Sequence, residues 1–290
     1  MDLNTVAEVI SPAAVGQWRP GDAWLGGGTA LFGEPRPHLR RLLDLTTAGW
    51  PALTVRDDGL EIAATCTIAE LAASGHDIAE LAASGHDIAE LAAGGHDIAG
   101  LAASGHDIVE KCCHAFLASF KIWNVATVGG NLCAALPAGP MIALGAALGG
   151  TCLLLGPDGT REVPVRDFVT GEGTTVLREG ELLRSIHLPS AALSARTAFR
   201  QGSLHTNGRS GVLLIGRLDA GGGLVLTVTA ATRRPYVMTF PVLPAAEIVQ
   251  IALAERIPHG AYLNDVHGLA AWRRHLTRLY AEQIRQELSA

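Results

Sequence analysis

The sequence predicts a two-domain protein of mixed helices and strands, and three observations predict it. Two glycine clusters, Gly26-Gly27-Gly28-Thr29 and Thr127-Val128-Gly129-Gly130-Asn131, each stand between a strand-like run and a helix start. Alternating runs joined by Asp-Gly or Pro-Asp-Gly read as hairpins on either side of the second cluster. Past residues 190 to 196 the texture changes to successive strand-like runs followed by a long amphipathic helix, which places a domain boundary there.

Taken in order, Ser11 to Trp18 is predicted as a short helix, with Ser11 as its cap and Pro12 at its first position. Ala23 to Leu25 is a strand, the glycines that follow are a turn, and Ala30-Leu31-Phe32 starts a helix. Leu53 to Val55 and Leu60 to Ala64 pair around Asp58-Gly59, because Asp-Gly tolerates the positive φ of a tight hairpin. Val109 to Phe120 is helical, and Asn124 to Asn131 repeats the order of strand and glycine turn. Pro140 to Leu148 is an alanine-rich helix, and Thr151 to Leu155 pairs with Glu162 to Pro164 across Pro157-Asp158-Gly159. ELLRSIHLP, residues 181–189, is a strand closed by Pro189. Thr197 to Arg200, Ser210 to Asp219 and Leu224 to Thr232 are strands of an antiparallel sheet. Gly268 to Leu288 is a helix with Leu269, Trp272, Leu276, Leu279, Tyr280 and Ile284 on one face.

Composition removes several classes of function. Lysine and arginine total 22 against 28 aspartates and glutamates, a net charge of -6, and no stretch is basic enough to track a phosphate backbone, so nucleic acid is not expected as a partner. The opening residues contain acids and a proline and lack the basic start and apolar core of a secretory signal, which predicts a cytoplasmic protein. Met141 to Leu155 is broken by Gly145, Gly149 and Gly150 and is shorter than the roughly 20 residues of a spanning helix, so no membrane segment is expected. Cysteines at 66, 112, 113, 133 and 152 include no C-x-x-C pair and read as free thiols, with no zinc or iron-sulfur ligand set.

From Ile68 to Asp107 one ten-residue unit, IAELAASGHD, runs through four near-copies. Each carries helix signals: Asp77 can cap Ile78-Ala79-Glu80 with Glu80 completing a capping box, Gly85 stands at a stop, and Thr67 with Glu70 does the same for the first copy. At about 100° per residue, ten residues fall roughly 80° short of three full turns, so the apolar stripe of one continuous helix would drift around it. A string of short helices or an expanded surface connection follows, and loop closure costs only about 0.6 kcal/mol per doubling of length. His76, His86, His96 and His106 could gather a metal, but no second ligand type on a rigid element accompanies them, so solvent-exposed histidines are expected.

The two glycine clusters carry the functional reading. Gly26-Gly27-Gly28-Thr29 places three residues without side chains between a strand and a helix start, where consecutive backbone N-H groups can converge and the helix dipole adds positive potential, a setting for phosphate. The run is neither G-x-G-x-x-G, since Leu31 takes the third glycine's place, nor a P-loop, since Glu34-Pro35 follows. A second cluster of the same kind about 100 residues on suggests a dinucleotide cradled between two lobes.

LGGGTAL (25 to 31) and TVGGN (127 to 131) resemble the A-G-G-H/T-S/T-L and T-I-G-G-N motifs of the FAD-binding medium subunit of molybdenum hydroxylases, the xanthine dehydrogenase and carbon monoxide dehydrogenase group. LLDLT, LEIAATCTIAEL, ELLRSIHLP, RTAFRQGS and WRRHLTRLYAEQI extend the resemblance across nearly the whole chain. It implies an α+β protein: a two-lobed PCMH-type FAD-binding domain over 1–190, then a small antiparallel-sheet-plus-helix flavoprotein domain over 195–290, with the repeat at 68–107 as an insertion. It implies FAD held by Leu25, Gly26, Gly27, Gly28, Thr29, Ala30, Leu31, Thr127, Val128, Gly129, Gly130 and Asn131, with Leu183 and Arg200 also at the cofactor. No side chain is assigned as catalytic and none as a metal ligand. It implies an oxidoreductase subunit that relays electrons from a small [2Fe-2S] subunit, fed by a large molybdenum-pterin subunit, to an external acceptor.

Three departures bear on that resemblance. The family's S-P-A-A-D is replaced by Leu136-Pro137-Ala138-Gly139-Pro140-Met141, so an aspartate is missing; Arg200 stands where many members have lysine; and the first motif has no histidine, which implies non-covalent FAD. Two rival readings stand beside it: a self-contained flavin oxidoreductase, and a flavin-free interaction protein that uses the repeat.

Overall fold

The structure, a computed structural model, describes residues 3–12, 15–74 and 105–290. A first lobe is built on three parallel strands, β1 (Glu8–Ile10), β2 (Asp22–Leu25) and β3 (Arg41–Asp44), in the order β1-β3-β2. Asp22, its side chain 1% exposed, locks β2 to β3 by taking Arg41 Nε at 3.0 Å and Nη2 at 2.5 Å. Two predicted helices shrink here. The described part of Ser11–Trp18 is one 3-10 turn, Val15–Gln17, with Gly16 at its centre. Ala30-Leu31-Phe32 becomes a 3-10 turn over Leu31–Gly33, because Pro35 drives Glu34 to an extended φ of -134° and ψ of 148°.

The second lobe opens with β4 (Leu53–Arg56) and β5 (Gly59–Ala63), then α1 (Ile68–Ala73), α2 (Gly105–His114), α3 (Phe120–Trp123), α4 (Val128–Ala134) and α5 (Pro140–Ala147). β6 (Thr151–Gly156), β7 (Gly159–Pro164), α6 (Val165–Phe168), the small pair β8 (Val169–Gly171) and β9 (Thr174–Thr175), and β10 (Leu182–Pro189) complete it. Its main sheet is antiparallel in the order β4-β5-β10-β6-β7. Both predicted hairpins form, with Arg56 opposite Gly59 and Gly156 opposite Gly159.

α1 carries the expected capping box: Glu70 N donates to Thr67 Oγ1 at 3.1 Å, and Thr67 N donates to the Glu70 carboxylate at 2.8 Å. The predicted caps and stops at Asp77, Glu80 and Gly85, with His76, His86 and His96, lie outside the described residues, as does the side chain of His106. The helix expected over Val109 to Phe120 ends at His114 and resumes as the separate turn α3. The strand and glycine turn expected over Asn124 to Asn131 also differ: Thr127 forms a single bridge with Thr67, and Gly129 and Gly130 lie in the first turn of α4. α5 is buried at every position, which its all-apolar sequence allows.

The last third comprises α7 (Ser190–Leu193), the sheet β11 (Arg196–Gly202), β12 (Val212–Leu218), β13 (Leu224–Thr229) and β14 (Tyr236–Phe240), and then α8 (Ala246–Arg256) and α9 (Ala270–Ser289). β14 and α8 were not foreseen from the sequence. α8 and α9 pack on one face of this sheet around Val212, Leu214, Leu226 and Ile284. The other face lies on the second lobe, so Leu213, Ile215 and Ala230 belong to one apolar cluster with α5, and that cluster crosses the expected boundary. Burial of β12 and β13 on both faces explains why VLLIG and LVLTV read as continuous apolar runs.

The buried stripe of α9 is Arg273, Thr277, Ala281, Ile284 and Leu288. Leu269 and Leu279, expected on the core face, are 65% and 43% exposed. The stripe is rotated because Arg273 goes inward, where three carbonyls and a carboxylate receive its donors.

Candidate functional site

The two glycine clusters meet across a cleft of about 450 Å³ walled by Gly26, Gly27, Val125 and Thr127, with Trp50, Cys66 and Glu70 among the remaining walls. Gly27 packs directly on the backbone of the second segment: a Cβ there would sit 1.5 Å from the Val125 carbonyl oxygen. A Cβ on Gly26 would meet Thr127 Oγ1 at 3.1 Å. Gly28 adopts a left-handed φ of 71° and has the Phe32 ring where a Cβ would go, so both conformation and space require glycine.

The donors of the two clusters are used differently. After β2 ends at Leu25, the N-H groups of Gly27, Gly28, Thr29 and Ala30 have no acceptor among the described residues. In the second cluster Val128 N donates to Cys66 O at 2.8 Å and Gly129 N to Ala64 O at 3.0 Å, while Gly130 N donates to Thr127 Oγ1 at 3.0 Å. Asn131 N donates to Thr127 O at 2.9 Å inside α4. The second cluster is therefore a structural wall: a Cβ on Gly129 would stand 2.4 Å from Ala64 Cβ, so that glycine lets α4 approach the end of β5. The helix dipole expected behind the first cluster is also absent, since Leu31–Gly33 is a single 3-10 turn. What the first cluster offers an anion is a row of bare amides.

The charge around this cleft is sparse. Glu70 lines it, but its carboxylate is held by Thr67 N and Thr67 Oγ1, both at 2.8 Å. Burial, with Glu70 and Cys113 nearby, pushes the Cys66 thiol up to about 12, so it stays protonated. Trp50 carries the Arg184 guanidinium 4.2 Å from its ring centroid. Arg184 also lies 3.8 Å from Glu61.

Asn131, one helical turn beyond Thr127, faces a second cleft of about 430 Å³ with Phe116, Gly139 and Pro140 from the second lobe and Arg209, Ser210 and His267 from the last third. Its Oδ1 accepts Met141 N at 3.1 Å and ties α4 to the start of α5. The Leu136 to Met141 segment that lacks the family aspartate forms the floor, fixed from the far side by Ala230 N donating to Pro137 O at 2.9 Å. The two clefts flank one short helix, and each alone falls in the lower half of the roughly 300–1,000 Å³ range of ligand pockets.

Leu183 and Arg200 line neither cleft. Leu183 is 3% exposed in the core cluster. Arg200 donates to Gln283 Oε1 at 3.1 Å, pairs with Glu287 at 2.7 Å on α9, and lines neither cleft. Thr29 and Ala30 are exposed. Among the described residues no group of three or more histidines, cysteines or carboxylates could hold a metal ion, and no helix is long and apolar enough to cross a membrane. Trp50, Arg209, Ser210 and His267 were not singled out from sequence. The only signal for Arg209 and Ser210 is a turn-rich loop, SLHTNGRS, that nothing ties to residues some 70 positions earlier.

Residues 5–191 match the family model described as the FAD binding domain in molybdopterin dehydrogenase. Over 73 residues the chain is 38% identical to the carbon monoxide dehydrogenase medium chain of Afipia carboxidovorans, a match that spans 25% of this chain and 25% of that relative. The fold is similar to quinoline 2-oxidoreductase from Pseudomonas putida 86, with a TM-score of 0.72 and 20% identity over 99% of this chain and 98% of that one. It is likewise similar to reconstituted CO dehydrogenase from Oligotropha carboxidovorans, with a TM-score of 0.74 and 18% identity over 99% and 98%. With an α+β fold of this kind and a family match over most of its length, the chain belongs to the family of the FAD binding domain in molybdopterin dehydrogenases.

Proposed function

We propose that this chain is the flavoprotein subunit of a molybdenum hydroxylase complex, binding FAD non-covalently and relaying electrons from a partner's [2Fe-2S] clusters to an external acceptor. The partners would be a large molybdenum-pterin subunit, which selects the substrate, and a small iron-sulfur subunit. The observation that carries the reading is the family match together with the row of bare amides at Gly27 to Ala30, packed against Val125 to Thr127. Those amides fit a diphosphate, since consecutive N-H groups, the first two on glycines, take phosphate oxygens at close range. Gly26 and Gly27 would admit the diphosphate, Thr127 would stiffen the opposing wall, and Asn131 would meet the cofactor beyond α4. When bound, FAD supplies two-electron chemistry that can be delivered one electron at a time. The protein's own work is to hold the ring, keep water from it, and offer donors to it.

Division of the chain at about 190 to 195 into an FAD-binding domain and a C-terminal domain fits this role, because the second cleft draws walls from both parts. The test is the visible spectrum of the purified chain after incubation with FAD and removal of free cofactor. Flavin bands that travel with the protein, and a yellow supernatant after acid precipitation, are expected. A chain that stays colourless at saturating FAD overturns the reading, and flavin left in the acid pellet overturns its non-covalent part.

A further inference from the structure

The charge of this chain is unevenly divided. Residues 195–290 carry 11 arginines and lysines against 6 aspartates and glutamates, a formal +5, while residues 1–194 carry 11 against 22, a formal -11. Part of that positive excess stands on one face of the last third. Arg234 precedes β14, Arg256 ends α8, and Arg274 and Arg278 lie one helical turn apart on α9. None of them lines either cleft described above. All but the half-buried Arg274 are exposed, and none of the four guanidiniums pairs with a carboxylate among the described residues. Glu172 is engaged by Arg233 at 3.6 Å and Asp265 by Arg273 at 2.5 Å, which leaves Glu255, beside Arg256 on α8, as the acid next to them. No stretch of sequence shows this face, because its residues come from three separate segments.

Two tyrosines and a histidine join these arginines. The Arg234 guanidinium lies 4.5 Å from the centroid of the Tyr236 ring. Burial raises the Tyr262 hydroxyl above its ordinary value, against the pull of Thr277, Arg278 and Arg274, so both guanidiniums stand near that hydroxyl, as does Tyr236. Arg274 Nη1 lies 2.7 Å from His259 Nδ1, on the short 3-10 turn His259–Ala261. Arg233 N donates to Ala261 O at 3.2 Å and Thr232 bridges to Tyr262, so the segment leading into β14 runs beside that turn. Stacking on Tyr236 and contact with His259 restrict Arg234 and Arg274 before anything binds, which lowers the entropy lost when a partner arrives.

We propose that this face docks a protein that presents clustered carboxylates. The planar fork of a guanidinium takes a carboxylate on two N-H groups, and several unpaired ones together steer an acidic surface toward them. A compact acidic protein meets the basic face alone. Screening over about 8 Å at physiological salt makes each charge feel only its near surroundings, so a long polyanion or a membrane that outreaches the patch meets the acidic remainder of the chain. Val266 and Leu269, both exposed just ahead of α9, add apolar area of the kind that accompanies arginine in protein interfaces.

The test is fluorescence anisotropy of a labelled oligoglutamate peptide titrated with the full chain over a series of salt concentrations, with labelled duplex DNA and phosphatidylglycerol vesicles as rival probes. Oligoglutamate should bind more tightly than either rival, and more weakly as salt rises. Arg274→Gln together with Arg278→Gln should weaken it roughly tenfold. Arg278→Gln alone, at an exposed side chain without a hydrogen bond that the fold could miss, should show part of that loss. Arg166→Gln, which removes an exposed arginine on α6, should leave binding unchanged. A wild-type chain that binds no oligoglutamate overturns the proposal, as does binding that survives the double substitution or falls equally with Arg166→Gln. Tighter binding of DNA or of vesicles overturns the protein occupant.

Discussion

Replacing Gly27 with alanine puts a methyl group 1.5 Å from the Val125 carbonyl oxygen, 2.5 Å from its carbonyl carbon and 3.1 Å from Ala126 N. Ordinary van der Waals contact needs about 3.5 Å, so the two segments must part by roughly 2 Å. The obstacle is backbone that cannot swing aside. Ile68 N holds Ala126 O at 2.9 Å and Val128 N holds Cys66 O at 2.8 Å on either side of it. Overpacking of this kind costs about 1–3 kcal/mol, and a backbone obstacle places Gly27→Ala at the upper end or beyond. The same separation opens the cleft between Gly26, Gly27 and Thr127, so FAD affinity should fall at least about tenfold, the equivalent of 1.4 kcal/mol.

The matched control is Gly33→Ala, since nothing lies within 4 Å of a Cβ at Gly33 and its φ is not positive. That variant should be neutral, or more stable by up to about 1 kcal/mol through a stiffer unfolded chain. Urea unfolding and fluorescence titration with FAD on both variants measure the two effects. If Gly27→Ala unfolds at the wild-type urea concentration and binds FAD as tightly, the close approach of the two segments neither constrains the fold nor shapes the site.

Arg273→Met should destabilise the chain by about 3 kcal/mol, because it strands Asp265 and three carbonyls that now share one buried guanidinium; an unchanged urea midpoint would contradict this. The Arg41 guanidinium bonded to Asp22 holds that carboxyl below its ordinary value, against the opposing pull of burial. The stability this provides is complete above the unfolded value of roughly 4 and is lost as pH falls through the lower folded value. Between about pH 6 and pH 3 the wild type should therefore lose more stability than Asp22→Asn, and parallel curves would show that the pair adds no pH dependence. Cys66, its thiol raised to about 12, should resist iodoacetamide at about pH 8 in the folded chain and react once urea unfolds it. Rapid mapped modification of Cys66 in the native protein would show the site to be open and the thiol acidic.

The local order of elements was largely legible from the chain itself. Asp58-Gly59 and Pro157-Asp158-Gly159 set two hairpins, Thr67 with Glu70 set the start of α1, and Pro140 opened α5, because each signal acts within a few residues. Glycine clustering at 26 to 28 and at 129 to 130 marked the two segments that meet. Sequence left open why those glycines are glycines. At Gly28 a left-handed φ requires it, and at Gly27 the reason is the Val125 carbonyl about 100 residues away. At Gly129 it is Ala64 on the end of β5.

By itself, then, the sequence determined the hairpins, the first capping box, and the two clusters that mark the family. Tertiary structure alone decided which cluster keeps its amides free, since hydrogen-bond acceptors for Val128 and Gly129 come from Cys66 and Ala64 in another element. It also decided that Arg200 pairs with α9 while Arg209 faces a cleft, and that the terminal helix turns Arg273 inward at the expense of Leu269 and Leu279. The physical reason is one of range: propensity and turn chemistry act over a few residues, whereas burial, donor satisfaction and charge pairing depend on whichever distant segments the fold brings together.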